Sequence, residues 1–278
     1  MTEHNDKVIK THYIHLVNKF RRAMRSTIED DIICEREIEF ISNFVKFLNQ
    51  EKNKELKILD LGCGSGYTLK ILAEKYPQNH YWGVDITKEM IEIAKNAELS
   101  NCNFFVGDAR SLKFKENYFD FVYTERCLIN ILDWSEQKKA LNEIWRALKP
   151  EGCFLMIECF TDGLKNNNKA RKECGLGELK PAHHNKYIEK KLFLKAIKDK
   201  FKIIKPESIL FDEYFFYQNF LSSHYFIARV LHALITKDKQ VKNTEFVRFF
   251  SFLPPIGNYS PLQAYILKNL SPKKYEKK

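Results

Sequence analysis

Carboxylates at positions 60, 85 and 108, an arginine at 126 and neighbouring histidines at 183 and 184 are the residues of this chain whose types and settings could do chemistry. Asp60 and Asp85 close short apolar runs, Lys57–Leu61 and Tyr81–Val84, and Asp108 follows a third, Asn103–Val106. Asp60 is available for an ammonium group or for holding the loop that follows it. Asp85 falls where doubly wound folds put the carboxylate that grips ribose hydroxyls. Arg126 could bind a carboxylate or phosphate bidentately, with Asn130 orienting a hydroxyl; the alternative for Arg126 is an ion pair with Glu125, Asp133 or Glu158. His183 and His184 suit proton transfer near neutral pH or anion binding, against the alternative of exposed loop histidines. Neighbours in an extended segment point to opposite sides, so one of the two is expected to reach a reacting group. His184 is the choice, with Asn185 and Tyr187 supporting the pocket.

These residues need a frame, and Lys57-Ile-Leu-Asp-Leu-Gly-Cys-Gly-Ser-Gly66 supplies its centre. An apolar strand breaks into alternating glycines and then into a helical pattern from Tyr67 to Tyr76. Gly62, Gly64 and Gly66 leave no Cβ to obstruct a ligand, and the helix N-terminus turns free N–H groups towards the loop. A dinucleotide fingerprint would need a glycine at 67, where the chain has Tyr67, and a phosphate-binding P-loop would need a Lys-Ser/Thr pair that is lacking. The loop therefore suits a ligand with an amino-acid end better than a pyrophosphate. Cys63 within it reads as a small side chain that fits. From Lys57 to Cys159 strands and helices alternate with short connections, as in a parallel sheet covered on both faces. Ligands of such sheets gather at the carboxyl ends of the strands.

Taken in order, Leu59-Asp-Leu-Gly-Cys-Gly-Ser-Gly66, Gly83-Val-Asp85, Gly107-Asp-Ala109, Phe119-Asp-Phe-Val122 and Leu148-Lys-Pro-Glu-Gly152 resemble the motifs of class I S-adenosylmethionine (SAM)-dependent methyltransferases. The resemblance covers roughly residues 56 to 160. It implies a Rossmann-like, seven-stranded, mostly parallel sheet with helices on both faces. It implies that SAM is the cofactor and S-adenosylhomocysteine the product, with Asp60, Gly62, Cys63, Gly64 and Gly66 at the methionine end and Glu125 among the cofactor-binding residues. Asp85 would then take the ribose hydroxyls, Ile86 would form an apolar shelf for the adenine, and Asp108 with Ala109 would meet it. Glu151 stands where the family usually has another glycine. The Asn/Asp-Pro-Pro-aromatic segment of adenine and cytosine amino methyltransferases is missing after the fourth strand. A second, more scattered resemblance, through Pro254–Pro261, His183–Tyr187 and the Arg126 segment, is to methyltransferases of bacterial surface-polysaccharide gene clusters.

Composition sets the outer limits. The chain has 278 residues, 44% apolar and 29% charged, a globular rather than disordered profile. No apolar run reaches bilayer length and Met1–Asp6 does not resemble a signal peptide, so the expected location is the cytoplasm. Seven cysteines without a Cys-x-x-Cys pair argue for reduced thiols, and no metal site is expected. The net charge of +10 reads as a lysine-rich solvated surface, with patches at Lys19–Arg25, Lys186–Lys202 and Lys273–Lys278. Nucleic acid is not the expected partner; a small-molecule acceptor is, nucleotide-linked or phosphorylated forms included, and a homodimer is allowed for.

Residues 1–50 read as an N-terminal helical cap, either a plain cap or a cover for the cofactor. Residues 51–278 read as the methyltransferase domain, with substrate-lid insertions at about 161–190 and 212–258. Thr87 and Ser135 are candidate helix caps. Thr161–Pro181 reads as irregular, Phe201–Leu210 as a strand and Leu262–Leu267 as the last strand. The functional expectation is O-methylation of a small anionic or sugar-linked acceptor in surface-polysaccharide biosynthesis. The rivals are an RNA methyltransferase and a catalytically silent SAM-binding partner protein.

Overall fold

Near-continuous apolar runs such as Ile58–Leu61 and Phe119–Thr124 are what strands need when both faces of a sheet are covered, and every residue of these runs is buried. The structure, a computed structural model, describes residues 11, 30–96, 99–211, 214–237 and 243–271. In order come α1 (Asp31–Lys52), β1 (Lys57–Leu61), α2 (Tyr67–Lys75), β2 (His80–Asp85), α3 (Lys88–Lys95), β3 (Cys102–Val106), β4 (Phe119–Glu125), α4 (Trp134–Ala147) and β5 (Leu148–Cys159). They are followed by α5 (Thr161–Glu173), α6 (Lys190–Ile197), β6 (Phe201–Ile204), a small hairpin of β7 (Leu210–Phe211) and β8 (Tyr214–Phe215), and β9 (Leu262–Asn269). Short helical turns lie between β8 and β9, including a π-helical stretch at Ile227–Leu231.

Seven strands form one sheet in the order β3-β2-β1-β4-β5-β9-β6. Neighbours from β3 through β5 are parallel, and β9 runs antiparallel to both β5 and β6. This is the Rossmann-like arrangement expected, and it sets the carboxyl ends of β1, β2 and β4 side by side. The strand order turns back between β1 and β4, the position where such sheets open a crevice.

The helix α1 belongs to the same core as the sheet. Phe40, Ile41, Phe44, Val45 and Leu48 form its buried stripe, and Phe44 meets Phe121 of β4 and Phe216 from beyond β8 at 5.4 and 6.0 Å between ring centroids. Asp30 caps its first turn by accepting from Ile33 N–H. The Asp30 carboxylate also meets the buried His224 and Arg229, tying the helix start to the segment after β8.

Several local expectations are corrected. Thr161–Pro181 is not irregular, because α5 fills its first half. The stripe it buries is Gly163, Asn167 and Arg171, which has helical spacing but no apolar side chains to reveal it. Asn167 donates to Tyr259 C=O and Arg171 to Gly177 C=O, and a Cβ on Gly163 would collide with Ser260 C=O at 1.9 Å. The cap of α4 is Asp133, which accepts from Ser135 and Glu136 N–H, rather than Ser135. Thr87 does occupy the cap position of α3 but makes no side-chain bond to its first turn. The strand after α6 ends at Ile204, since Pro206 opens a 3₁₀ turn. A first N-terminal helix and the patches at 19–25 and 273–278 lie outside the described residues.

Candidate active site

The glycine loop is pinned to β2 from beneath. Gly62 and Cys63 N–H both donate to Val84 C=O, at 2.7 and 3.1 Å, and Gly64 N–H donates to Asp85 Oδ2 at 3.0 Å. The other oxygen of Asp85 accepts from Thr87 N–H at 2.8 Å. Gly62 has a φ of 86°, and a Cβ there would lie 2.6 Å from Cys127 Cβ and Sγ, so the approach of this loop to the segment after β4 requires glycine. Gly64, with a φ of 51°, is the opposite case: a Cβ would meet nothing within 4 Å. Open space above Gly64 leaves room for a ligand lying across the loop, whose N–H groups at Gly62, Cys63, Gly64 and Gly66 are taken by β2 and Cys63. Cys63 is buried between Gly64 C=O and the position a Gly83 Cβ would take, and burial pushes its thiol pKa well up. It is a neutral packing group.

Carboxyls gather around the same crevice. Asp60 is buried and accepts from Tyr123 O–H at 2.8 Å. Burial outweighs that bond and, with the charge of Asp85, pushes the Asp60 pKa up to about 7. Burial also raises Asp85, against the pull of its backbone donors. Glu125, at the end of β4, is driven well above the ordinary carboxylate range by burial first and then by Glu37 and Asp60.

Arg126 follows in the left-handed region, φ 54°, where its Nε donates to Glu37 Oε1 at 3.0 Å. Glu37 comes from α1 and is fully buried. Arg126 thus pairs with Glu37, an acid outside the sequence expectation, and its charge also acts on Glu125. Asn130 donates its amide to Arg126 C=O at 2.9 Å, bracing the turn. Glu158, buried on β5, accepts from Cys127, Leu128 and Ile129 N–H at 2.9, 2.9 and 3.2 Å. Burial pushes its pKa up to about 7 despite these donors.

The histidine segment is held against this turn. Lys186 N–H donates to Ile129 C=O at 2.7 Å, while Gln137 Nε2 reaches Leu128, Ile131 and Lys186 C=O at 2.9–3.0 Å. Asn185 N–H bonds Ala182 C=O at 2.9 Å, closing a turn that contains both histidines. The segment is therefore folded rather than extended, and the rings of His183 and His184 touch edge to face, 5.1 Å apart, instead of pointing to opposite sides. His183 is exposed and His184 half-buried. Tyr187 keeps its proton, since burial and the neighbouring Cys159 raise its hydroxyl.

Further along the edge, Asp108 receives a two-pronged donation from Arg110, with Nε and Nη2 at 2.6–3.0 Å. Ala109 and Ile86 are half-buried beside their carboxylates. Among the described residues no group of His, Cys, Asp and Glu is arranged to hold a metal ion, and no helix is long and apolar enough to cross a membrane. The sequence reading missed Glu37, Tyr123 and Gln137. For Glu37 a signal existed, a lone acid on the apolar stripe of α1 between Ile33 and Phe40–Ile41.

Sheet order and glycine crevice together are those of a Rossmann-like domain with a ligand crevice at its switch point. Residues 58–152 match the protein family described as "Methyltransferase domain". These residues form a SAM-dependent methyltransferase domain, with SAM as its cofactor. The uncharacterized methyltransferase YcgJ of Bacillus subtilis is 35% identical over 112 residues, 39% of this chain and 42% of that protein. A demethylmenaquinone methyltransferase of Thermotoga maritima is 32% identical over 115 residues, 41% of this chain and 48% of that protein. The chain thus spans less than half the length of these curated relatives. Among solved structures, a putative methyltransferase of Haloferax volcanii, in complex with the Trm112 methyltransferase activator, aligns at 17% identity and a TM-score of 0.48, over 80% of this chain and 85% of that one.

Proposed function

We propose that the protein transfers the methyl group of SAM to a hydroxyl of a small, sugar-linked acceptor held at the carboxyl ends of β4 and β5. The observation that carries this reading is the tether of Lys186, two residues after His184, to Ile129 C=O in the turn that follows β4, at 2.7 Å. Bound in the crevice, SAM supplies an electrophilic methyl group on a sulfonium. The chain's own part is to grip, orient and exclude water. In this reading Asp85 takes the ribose hydroxyls, with its loop bonds pre-setting its orientation. Asp60, Glu125 and the open face of the glycine loop at Gly64 border the amino-acid end, while Asp108, Ala109 and Ile86 border the adenine. His184 removes the hydroxyl proton, a role open to a half-buried imidazole near neutral pH.

An anionic group at the transfer point is disfavoured. Arg126, the cation proposed to receive it, is engaged by Glu37, and the neighbouring ionisable groups Glu125, Asp60 and Glu158 are all acids. The acceptor's reacting end is accordingly neutral. The test is an acceptor screen that detects S-adenosylhomocysteine formation with glycosides, nucleotide sugars, amines, quinols and RNA as separate pools. Turnover confined to hydroxylated sugar derivatives supports the proposal. Turnover on the quinol pool, the one nearest to the demethylmenaquinone in the name of the Thermotoga maritima relative, or on RNA overturns it.

A further inference from the structure

Outside the crevice, the carboxyl edge of the sheet has a second concavity. A cleft of about 300 Å³ lies between the Lys190 end of the histidine segment, the residues after β8 and the approach to β9, with Lys190, Glu207, Tyr217, Asn219, Asn258 and Gln263 on its walls. From this cleft we infer an acceptor subsite for a neutral, polyhydroxylated ring. The inference rests on the methyltransferase reading above and adds to it where the non-reacting part of the acceptor sits.

Its chemistry is that of side-chain amides. The Asn219 amide nitrogen donates to Asn258 Oδ1 and Ser260 C=O. Its own Oδ1 is shielded from solvent with no partner among the described residues, so the amide is held through its nitrogen. Gln263 is almost fully buried and donates to Asp162 at 2.9 Å, as does Asn258, so the amides are fixed in orientation before any ligand arrives. Tyr217 and the ring of Pro255 provide apolar faces. Hydroxyl groups both donate and accept, and amides answer both demands. The charges of the walls, Lys190 and Glu207, oppose one another, and Lys190 already lies 3.8 Å from Asp162. An anion or a cation would therefore meet one attractive and one repulsive group, which a neutral polyol avoids.

Position links the cleft to the reaction. Gln263 on β9 stands opposite Glu158 on β5. Opposed residues of an antiparallel pair share a face, and Glu158 holds the turn after β4. From β4 to β9 is two strand spacings, about 10 Å. The histidine segment spans that gap, since Ile188 bridges Phe160 and Phe160 N–H bonds Pro261 C=O at 2.7 Å. An acceptor seated in the cleft would need a reacting hydroxyl one ring or more away from the ring bound there.

The experiment uses the full chain with S-adenosylhomocysteine bound and ligand-observed saturation-transfer NMR. The probes are methyl glycosides and myo-inositol, with inorganic phosphate and acetate as charged controls. Millimolar binding of a hydroxylated probe is expected, weakened at least tenfold in Tyr217→Ala and in Asn219→Ala, with affinity for S-adenosylhomocysteine and the melting temperature retained. Full-strength binding in both variants, no binding of any polyol, or tighter binding of the charged controls would overturn the subsite. If either variant melts early, the other decides. Should S-adenosylhomocysteine itself fail to bind, the methyltransferase reading falls, and polyol binding to the cleft is still measured on its own.

Discussion

Replacing Arg126 by alanine should cost stability out of proportion to its place in a surface turn, and the cost should depend on pH. Arg126 Nε lies 3.0 Å from Glu37 Oε1; the arginine side chain is 23% exposed and the glutamate 0%. Removing one partner of a buried pair costs about 3–5 kcal/mol, because the other charge stays desolvated. Glu37 can escape only by taking a proton. Burial already holds its carboxyl above the ordinary range with Arg126 present, and losing the guanidinium raises it further. The folded variant then binds one more proton than its unfolded chain over the interval between the two pKa values. Stability therefore falls as pH rises through that window. Arg126→Ala should approach the full penalty at pH 8 and a smaller one at pH 5. Arginine and alanine suffer alike in the left-handed backbone at 126, so that strain cancels. The reverse variant, Glu37→Ala, leaves a guanidinium that water can reach and should cost less. The double variant should be more stable than the sum of the single effects by about 1–3 kcal/mol. Urea unfolding of the four proteins at both pH values measures all of this. Additivity to within about 0.5 kcal/mol, or a pH-independent penalty for Arg126→Ala, would refute the pairing.

In Asp85→Ala, SAM affinity should drop by about 1.5–3 kcal/mol by calorimetry, since hydroxyls in the crevice lose a charged acceptor; unchanged affinity would remove Asp85 from the site. With an acceptor in hand, His184→Ala should slow single turnover by roughly 10²–10⁴-fold while SAM affinity holds, with partial rescue at higher pH. The same loss in His183→Ala alone would move the base to the neighbouring ring. Without cofactor, stability should decline from about pH 4 to pH 7, because Asp60 and Glu158 are both raised to about 7 by burial and the folded state holds their protons longer. Asp60→Asn should flatten that slope in urea titrations, and an equally steep slope in the variant would show that Asp60 does not carry it. Below pH 4 the trend should reverse: burial raises Asp120, but Lys149 and Lys54 hold it lowered overall, so protonating it costs stability.

The sheet and its crevice were legible because their signals are local. Apolar runs, glycines and the acids that close the strands lie within a few residues of one another. The partner of Arg126 was not legible, since Glu37 lies 89 residues away and reaches the turn only because Phe40 and Phe44 set α1 against the sheet. Likewise α5 escaped notice because its inward stripe is Gly163, Asn167 and Arg171, whose burial is matched by hydrogen bonds rather than by apolar packing. The histidines were found by type, but their relative placement was not, as an Ala182–Asn185 turn has no strong residue signature of its own.

The antiparallel strand β9 has a consequence for how the molecule is made. It is the partner of both β5 and β6 in the sheet, so neither gains that neighbour until Asn269 has been synthesised. At ordinary elongation rates the stretch from Cys159 to Asn269 takes on the order of 5–20 s. Throughout that interval the nascent chain carries Cys153–Cys159, an apolar strand whose outer edge is open to pairing with any extended segment nearby. The polyol cleft, walled by Gln263, comes into being only when that edge is closed.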